Sequence, residues 1–221
     1  MTSKHFAELL GAFAGDGWMS KSNKSIALFI TGNPKDEQDY YNERICFLFQ
    51  KVFSTTLVPR HFSYWGVYGI YTGKRDIITK FVEAEMPIGK KCYSVRVPKQ
   101  ILKDKKLYPY FLRGLFDTDG CTSFGKSYNK NASKWQKKNH HIPRVSITTV
   151  SKNLAEDIRT MFNLIDLKLS ISTIKPYKNN NESYCVYFDG KKRTKSFFKI
   201  IKPKNKRHLD KFEKWLSQGF Y

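Results

Sequence analysis

Apolar and polar positions along the chain change period in a repeated order. Two apolar stretches, Leu9-Leu10-Gly11-Ala12-Phe13-Ala14-Gly15-Asp16-Gly17 and Leu112-Arg113-Gly114-Leu115-Phe116-Asp117-Thr118-Asp119-Gly120, each read as a helix that ends at its Asp-Gly. After the first come candidate strands at 18–21 and 25–31, then a polar helix over about 36–52, opened by Asn33-Pro34. Strands at about 56–63 and 67–72 turn around Tyr64-Trp65-Gly66, and a helix over about 75–86 follows. A linker contains the extended run 93–97. Beyond the second motif the order recurs: strands near 121–124 and 144–150, a helix over 152–163, strands at 168–174 and 184–188, then helices over 192–201 and 209–216.

The order α-β-β-α-β-β-α thus occurs twice. Strands follow one another without a helix at every crossover, so pairing should be antiparallel and the fold class α+β. The expected organisation is an N-terminal half over 1–90, a linker over 91–105 and a C-terminal half over 106–221. In the strand 144–150, Val145 and Ile147 face one way while Arg144, Ser146 and Thr148 face the other. Leu169 and Ile171 likewise oppose Lys168, Ser170 and Ser172. Such a sheet can pack on helices with one face and offer a polar, basic face to a partner.

The ends of the two motif helices carry the candidate chemistry. Gly17 and Gly120 stand where a left-handed C-terminal cap favours glycine, which places Asp16 and Asp119 at helix C-termini. A carboxylate is disfavoured there by the helix dipole, and its occurrence at two equivalent points suggests a compensating cation. Gly11 and Gly15, like Gly114 and Thr118, are four apart on one helical face. If the two helices pack in parallel through these small residues, Asp16 and Asp119 come within a few ångströms. Two such charges need a divalent metal or a shared proton. Hard cations such as Mg²⁺ take oxygen ligands, often one or two carboxylates plus substrate phosphates.

Charge sharpens this picture. The 221 residues include 40 Lys+Arg against 19 Asp+Glu, a formal net charge of +21. An excess of this size marks a polyanionic partner. Residues 1–103 hold 15 basic and 9 acidic residues, and residues 104–221 hold 25 and 10, so the second half should attract a backbone more strongly. The segment from Lys126 to Arg144 is basic, with Tyr128 and Trp135 interleaved, and no acid occurs between Asp119 and Glu156. It reads as a long hairpin loop tracking phosphates.

Other classes fall away. The 40% hydrophobic content is enough for a core, which argues against disorder. No apolar run approaches the roughly 18 residues of a membrane span, and the N-terminus shows neither signal nor transit pattern. The expected location is therefore intracellular and soluble, in cytoplasm, nucleoid or organelle matrix. The cysteines at 46, 92, 121 and 185 are scattered without a C-x-x-C pair, and are expected to be reduced and mostly buried.

At the two motifs the chain resembles the LAGLIDADG homing endonucleases. Ser94-Val95-Arg96-Val97-Pro98, followed by Phe111 to Gly120, is similar to the second half of single-chain members. The resemblance spans nearly the whole chain. It implies two pseudo-symmetric αββαββα halves packed through the motif helices, with their sheets forming a DNA-binding saddle. It also implies a monomer that cuts both strands of a long asymmetric duplex site and leaves short 3′ overhangs. The metal-binding acids fall on Asp16 and Asp119, with Gly15 and Thr118 beside them. The expected cofactor is Mg²⁺, with Mn²⁺ or Ca²⁺ able to substitute in binding. The first motif departs from the pattern at Ala14, where the family often has an acid, so a helix-end hydrogen bond is at stake.

The family usually has a basic residue near the start of the helix after the fourth strand of each half. That position falls on Lys74 and Lys191, as candidates to stabilise phosphate charge. Expected DNA contacts are Lys21, Lys24, Arg60, Lys126, Lys130, Lys137, Arg144, Ser146, Thr148, Lys168, Ser170 and Ser172. Two alternatives on the same scaffold are an RNA maturase assisting intron splicing and a non-catalytic DNA-binding regulator. Retention of both acids argues against the latter. A self-splicing intein is not expected, since Met1 is not a nucleophile and the chain ends in Phe220-Tyr221 rather than His-Asn.

Overall fold

Helix α1 (Lys4–Asp16) begins where the Ser3 hydroxyl accepts the amide of Phe6, satisfying one of the unpaired N–H groups of its first turn. Its buried face is apolar except for Glu8. It packs against α5 (Tyr108–Asp119), which opens with Pro109 in its first turn, where the missing amide costs nothing. The computed structural model describes residues 2–23, 25–124, 143–174 and 182–217, with the side chains of 172–174 excepted.

The two helices run parallel, in register, with their backbones touching. A Cβ on Gly11 would lie 2.0 Å from the Phe111 carbonyl oxygen, and one on Gly114 would lie 2.0 Å from the Glu8 carbonyl oxygen. At Gly15 it would lie 2.1 Å from Thr118 Oγ1. The small residues therefore do what their spacing implied.

Each helix feeds directly into a four-stranded antiparallel sheet. β1 (Gly17–Lys21), β2 (Ile26–Gly32), β3 (Arg60–Phe62) and β4 (Val67–Thr72) pair in the order β1-β2-β4-β3. β5 (Gly120–Ser123), β6 (Arg144–Thr149), β7 (Ser170–Ile174) and β8 (Ser183–Asp189) pair in the equivalent order β5-β6-β8-β7. The inner faces carry Met19, Leu28, Ile30 and Ile70 in one sheet and Val145, Ile147, Val186 and Phe188 in the other, all buried. Helix α3 (Arg75–Glu83) packs on β2 of the first sheet, and α2 (Cys46–Phe53) packs on α1. Helices α6 (Lys152–Asn163), α7 (Lys191–Ile201) and α8 (Lys206–Ser217) belong to the second half. Short α4 (Lys99–Leu102) lies between the halves.

Several local expectations are corrected. Gly17 and Gly120 are not left-handed: their φ, ψ are −87°, 156° and −75°, 153°, so the chain passes from helix straight into strand. Glycine is needed there for space instead. A Cβ would lie 2.4 Å from Phe13 Cδ2 at Gly17 and 2.2 Å from Phe116 Cδ2 at Gly120. The helix expected over 36–52 is interrupted by a π-helical segment, Tyr40–Ile45, in which the Cys46 amide reaches back to the Tyr41 carbonyl. β3 is shorter than 56–63 because Pro59 has no amide to give to a ladder. The run expected to be extended over 93–97 begins in a turn, where the Val95 amide bonds to the Lys91 carbonyl (2.8 Å); Val95 and Val97 are buried, and the Val97 amide bonds to Asp157 Oδ2 on α6 (3.1 Å). All four cysteines are free thiols, but Cys121 is exposed and the other three are half-buried.

One charged network crosses the helix interface. Glu8, fully buried, takes a two-pronged contact from Arg44 (2.6 Å each) and a third from Arg113 Nη1 (3.1 Å). It ties the π-helical segment and α5 to α1.

Candidate metal centre and nucleic-acid interface

Because α1 and α5 are parallel and in register, their last residues meet. A Cβ on Gly15 would lie 3.3 Å from the carboxyl carbon of Asp119, so that carboxyl sits against the last turn of α1. The Tyr41 hydroxyl donates to Asp16 Oδ2 (3.2 Å). It reaches Asp16 from the π-helical segment.

Two cations serve these helix ends. Lys91 donates from Nζ to the carbonyls of Phe13 (2.6 Å), Ala14 (2.7 Å) and Gly15. Arg207 donates from Nη2 to the carbonyl of Thr118 (2.6 Å) at the end of α5. Positive charge at a helix C-terminus offsets the dipole that made Asp16 and Asp119 unfavourable. Glu37, buried, accepts from Arg207 Nη1 and from Asn205 Nδ2 (3.0 Å each), and from the amide of Asn33 (2.8 Å). A third carboxylate therefore stands behind the pair and joins the first half to the C-terminal segment.

The electrostatics follow from burial. Loss of water pushes the Asp16 carboxyl up to about 7; the charges of Asp119 and Glu37 add to this, while Tyr41 and Lys91 oppose it. Asp119 shows surface to solvent, yet the protein packed around it also raises its carboxyl, against the pull of Lys91 and Arg207. Burial lowers Lys91 to about 8, and the two aspartates pull the other way. Two carboxyls are thus held together in a setting that penalises their ionisation. A hard divalent cation removes that penalty, and the oxygen-only donors suit Mg²⁺. Among the described residues no group of three or more His, Cys, Asp or Glu could hold a metal. The remaining ligands would be carbonyls, water or phosphate oxygens. The carbonyls of Gly15 and Thr118 already accept from Lys91 and Arg207, and each has a second lone pair.

The lysines expected at the centre stand at the starts of α3 and α7. Lys74 stands before α3 and reaches Thr55 Oγ1 (3.3 Å); Lys191 is the first residue of α7. Neither is among the main charges acting on Asp16 or Asp119, where Lys91 and Arg207 act instead. Nothing in the spacing marked Lys91, Arg207, Glu37 or Tyr41, because their roles depend on segments distant in sequence. The Ala14 departure has a counterpart in the structure. At the equivalent position Asp117 is fully buried and accepts the amides of Lys204 and Asn205 (2.9–3.1 Å). At Ala14 the carbonyl takes Lys91 instead.

The outer faces of the sheets leave from either side of the carboxylates. In the second sheet Cys121, Ser146 and Tyr187 pair across strands, with Ser170 next to Tyr187; Arg144 pairs with Asp189, and Thr148 with Cys185. Arg144 Nε and Nη2 bond to Asp189 (2.7 and 2.8 Å), and the guanidinium lies 4.3 Å from the Tyr187 ring centre. Thr148 and Ser170 are exposed, Ser146 is half-buried, and Lys168 is exposed just before β7. In the first half Lys21 and Arg60 are exposed. Lys24, Lys126, Lys130 and Lys137 lie outside the described residues, as does the side chain of Ser172.

Residues 107–202 match the model of the LAGLIDADG-like domain. Over 219 residues the chain is 25% identical to the replication factor C small subunit of Methanocaldococcus jannaschii; the match covers 92% of this chain and 10% of that protein, so the chain spans about a tenth of that relative's length. Among solved structures, the homing endonuclease I-DmoI in complex with DNA and Ca superposes with a TM-score of 0.62 at 15% identity, covering 89% of this chain and 88% of that one. The meganuclease I-SmaMI bound to DNA gives 0.57 at 11% identity, over 97% and 90%. I-WcaI bound to its DNA recognition sequence gives 0.52 at 19% identity, over 90% and 81%. Residues 107–202 are thus similar to the LAGLIDADG-like domain, and the chain as a whole has the fold seen in I-DmoI and I-SmaMI.

Proposed function

We propose that this chain is a site-specific endonuclease that cuts both strands of a long, asymmetric DNA duplex with the help of a divalent cation. The observation that carries this reading is the meeting of Asp16 and Asp119 at the ends of two parallel helices, inside a chain of net charge +21. The DNA-bound state of structures with the same fold supports it.

Asp16 and Asp119 would hold the cation, Mg²⁺ by the hardness of its donors. When bound, it supplies a Lewis acid for the scissile phosphate and a more acidic water. Tyr41 fixes the rotamer of Asp16 through its hydroxyl. Lys91 and Arg207 keep positive charge beside the carboxylates, where the phosphate charge would develop. The sheets set the duplex across the centre, and because their outer faces differ, the two half-sites differ too.

Cleavage selection from a randomised duplex library in Mg²⁺ tests this. The expected result is one long non-palindromic site, cut in both strands. Absence of cleavage with salt-sensitive duplex binding retained would point to a regulator, and preferential binding of structured RNA to a maturase.

A further inference from the structure

The two sheets present opposite chemistries at equivalent places. The row that crosses the second sheet is Cys121–Ser146–Tyr187; the matching row of the first is Trp18–Phe29–Tyr71. Phe62 and Trp65 join that row, so the outer face of the first sheet is an aromatic floor. Phe29 stacks on Trp18 (4.7 Å between ring centres) and meets Tyr71 (5.1 Å), Trp65 (5.6 Å) and Phe62 (5.8 Å). Arg60 lies over Phe62 (5.0 Å) and Tyr71 (5.3 Å), so the floor also bears positive charge. Trp65 is 50% exposed and Tyr71 43%.

This face is not core, because the apolar residues of the inner face already fill that side. It begins at Trp18, two residues from Asp16, so a duplex seated on the carboxylates must pass over it. Aromatic sheet faces can also stack unpaired bases, but that use needs free ring faces. Here Phe29 stacks on Trp18 and Arg60 lies over Phe62 and Tyr71, so ring faces within the floor are already in use. In the major groove the apolar feature that distinguishes one base pair from another is the thymine methyl.

We infer that the outer face of the first sheet recognises thymine methyl groups in one half of the target duplex, while the second sheet reads the other half through hydrogen bonds. This inference rests on the endonuclease reading above.

Replacing thymine by deoxyuridine removes the methyl and leaves pairing intact, so the test does not depend on a protein variant that folds. Sites are selected from a random duplex library, and Kd is measured with the Asp16→Asn, Asp119→Asn protein on duplexes carrying deoxyuridine in one half or the other. The expected result is thymine enrichment in one half, with a loss of about fourfold in affinity per methyl contacted, the value for burying one such group. The other half should change less than twofold. The penalty should shrink in Tyr71→Thr and Trp65→Ser proteins. Specific binding without any deoxyuridine penalty, or without thymine enrichment, would overturn the inference and leave the endonuclease reading standing. Tighter binding of single strands, weakened by Tyr71→Thr, would overturn it in favour of a stacking platform. Failure to bind any duplex selectively would remove the endonuclease reading itself.

Discussion

Asp16 is where the demands of chemistry and folding oppose one another. An unfolded aspartate titrates near 3.8, and in the fold this one is raised to about 7. Between those values the folded chain holds a proton that the unfolded chain releases, so metal-free stability falls as pH rises through that window. Asp119 shifts in the same direction. Without divalent cations, Asp16→Asn should therefore melt above the parent at pH 8, with the gap closing toward pH 4. Thermal melts at both values decide this, and a lower melting temperature at pH 8 would refute it. Added Mg²⁺ should raise the parent's melting temperature at pH 8 and do little for Asp16→Asn. Behind the centre, Asp117→Ala would leave the amides of Lys204 and Asn205 without their acceptor. Denaturant titration should show a loss of about 2 kcal/mol or more, from stranding buried donors.

The helix crossing fixes everything above it. Gly11→Ala and Gly114→Ala each place a methyl about 2.0 Å from a facing carbonyl oxygen. Overpacking of a tight contact costs about 1–3 kcal/mol and occasionally more. Here backbone must move, so the upper end is expected in equilibrium unfolding, with duplex cleavage lost in parallel. A substitution at the open turn residue Gly66 would cost only its positive φ, 64°. Glu8→Gln should also be severe, about 3–5 kcal/mol by denaturant titration, because it leaves Arg44 and Arg113 short of charge. At this scale the sequence was highly legible. The small residues at spacing four revealed the crossing, and strand alternation revealed which face of the second sheet is outward. What escaped were local departures set by packing. Gly17 and Gly120 are required for room beside Phe13 and Phe116 rather than for backbone sign. The π-helical turn that delivers Tyr41 to Asp16 has no periodic signature, and Pro59 shortens β3 against its apolar pattern.

For the molecule as a whole, the net charge of +21 should govern encounter with the proposed duplex target. With about six to ten phosphates contacted, affinity should fall by about a thousandfold or more between 50 and 200 mM salt. A flat salt response would contradict a phosphate-tracking mode. The long-range parts of the site were the least readable. Lys91, Glu37 and Arg207 come from segments far apart in sequence, and nothing local in any of them reports the other two. The aromatic row of the first sheet was visible as residues but not as a face, since only the register aligns Trp18, Phe29 and Tyr71. Asp16 and Asp119 together are proposed to form one metal-dependent nuclease centre. Its most direct test is single-turnover cleavage of the selected duplex in Mg²⁺ by the parent, Asp16→Asn and Asp119→Asn proteins. The account predicts that the parent cuts both strands, that either substitution reduces cleavage at least a hundredfold, and that duplex affinity is retained. Cleavage that survives either substitution would contradict it.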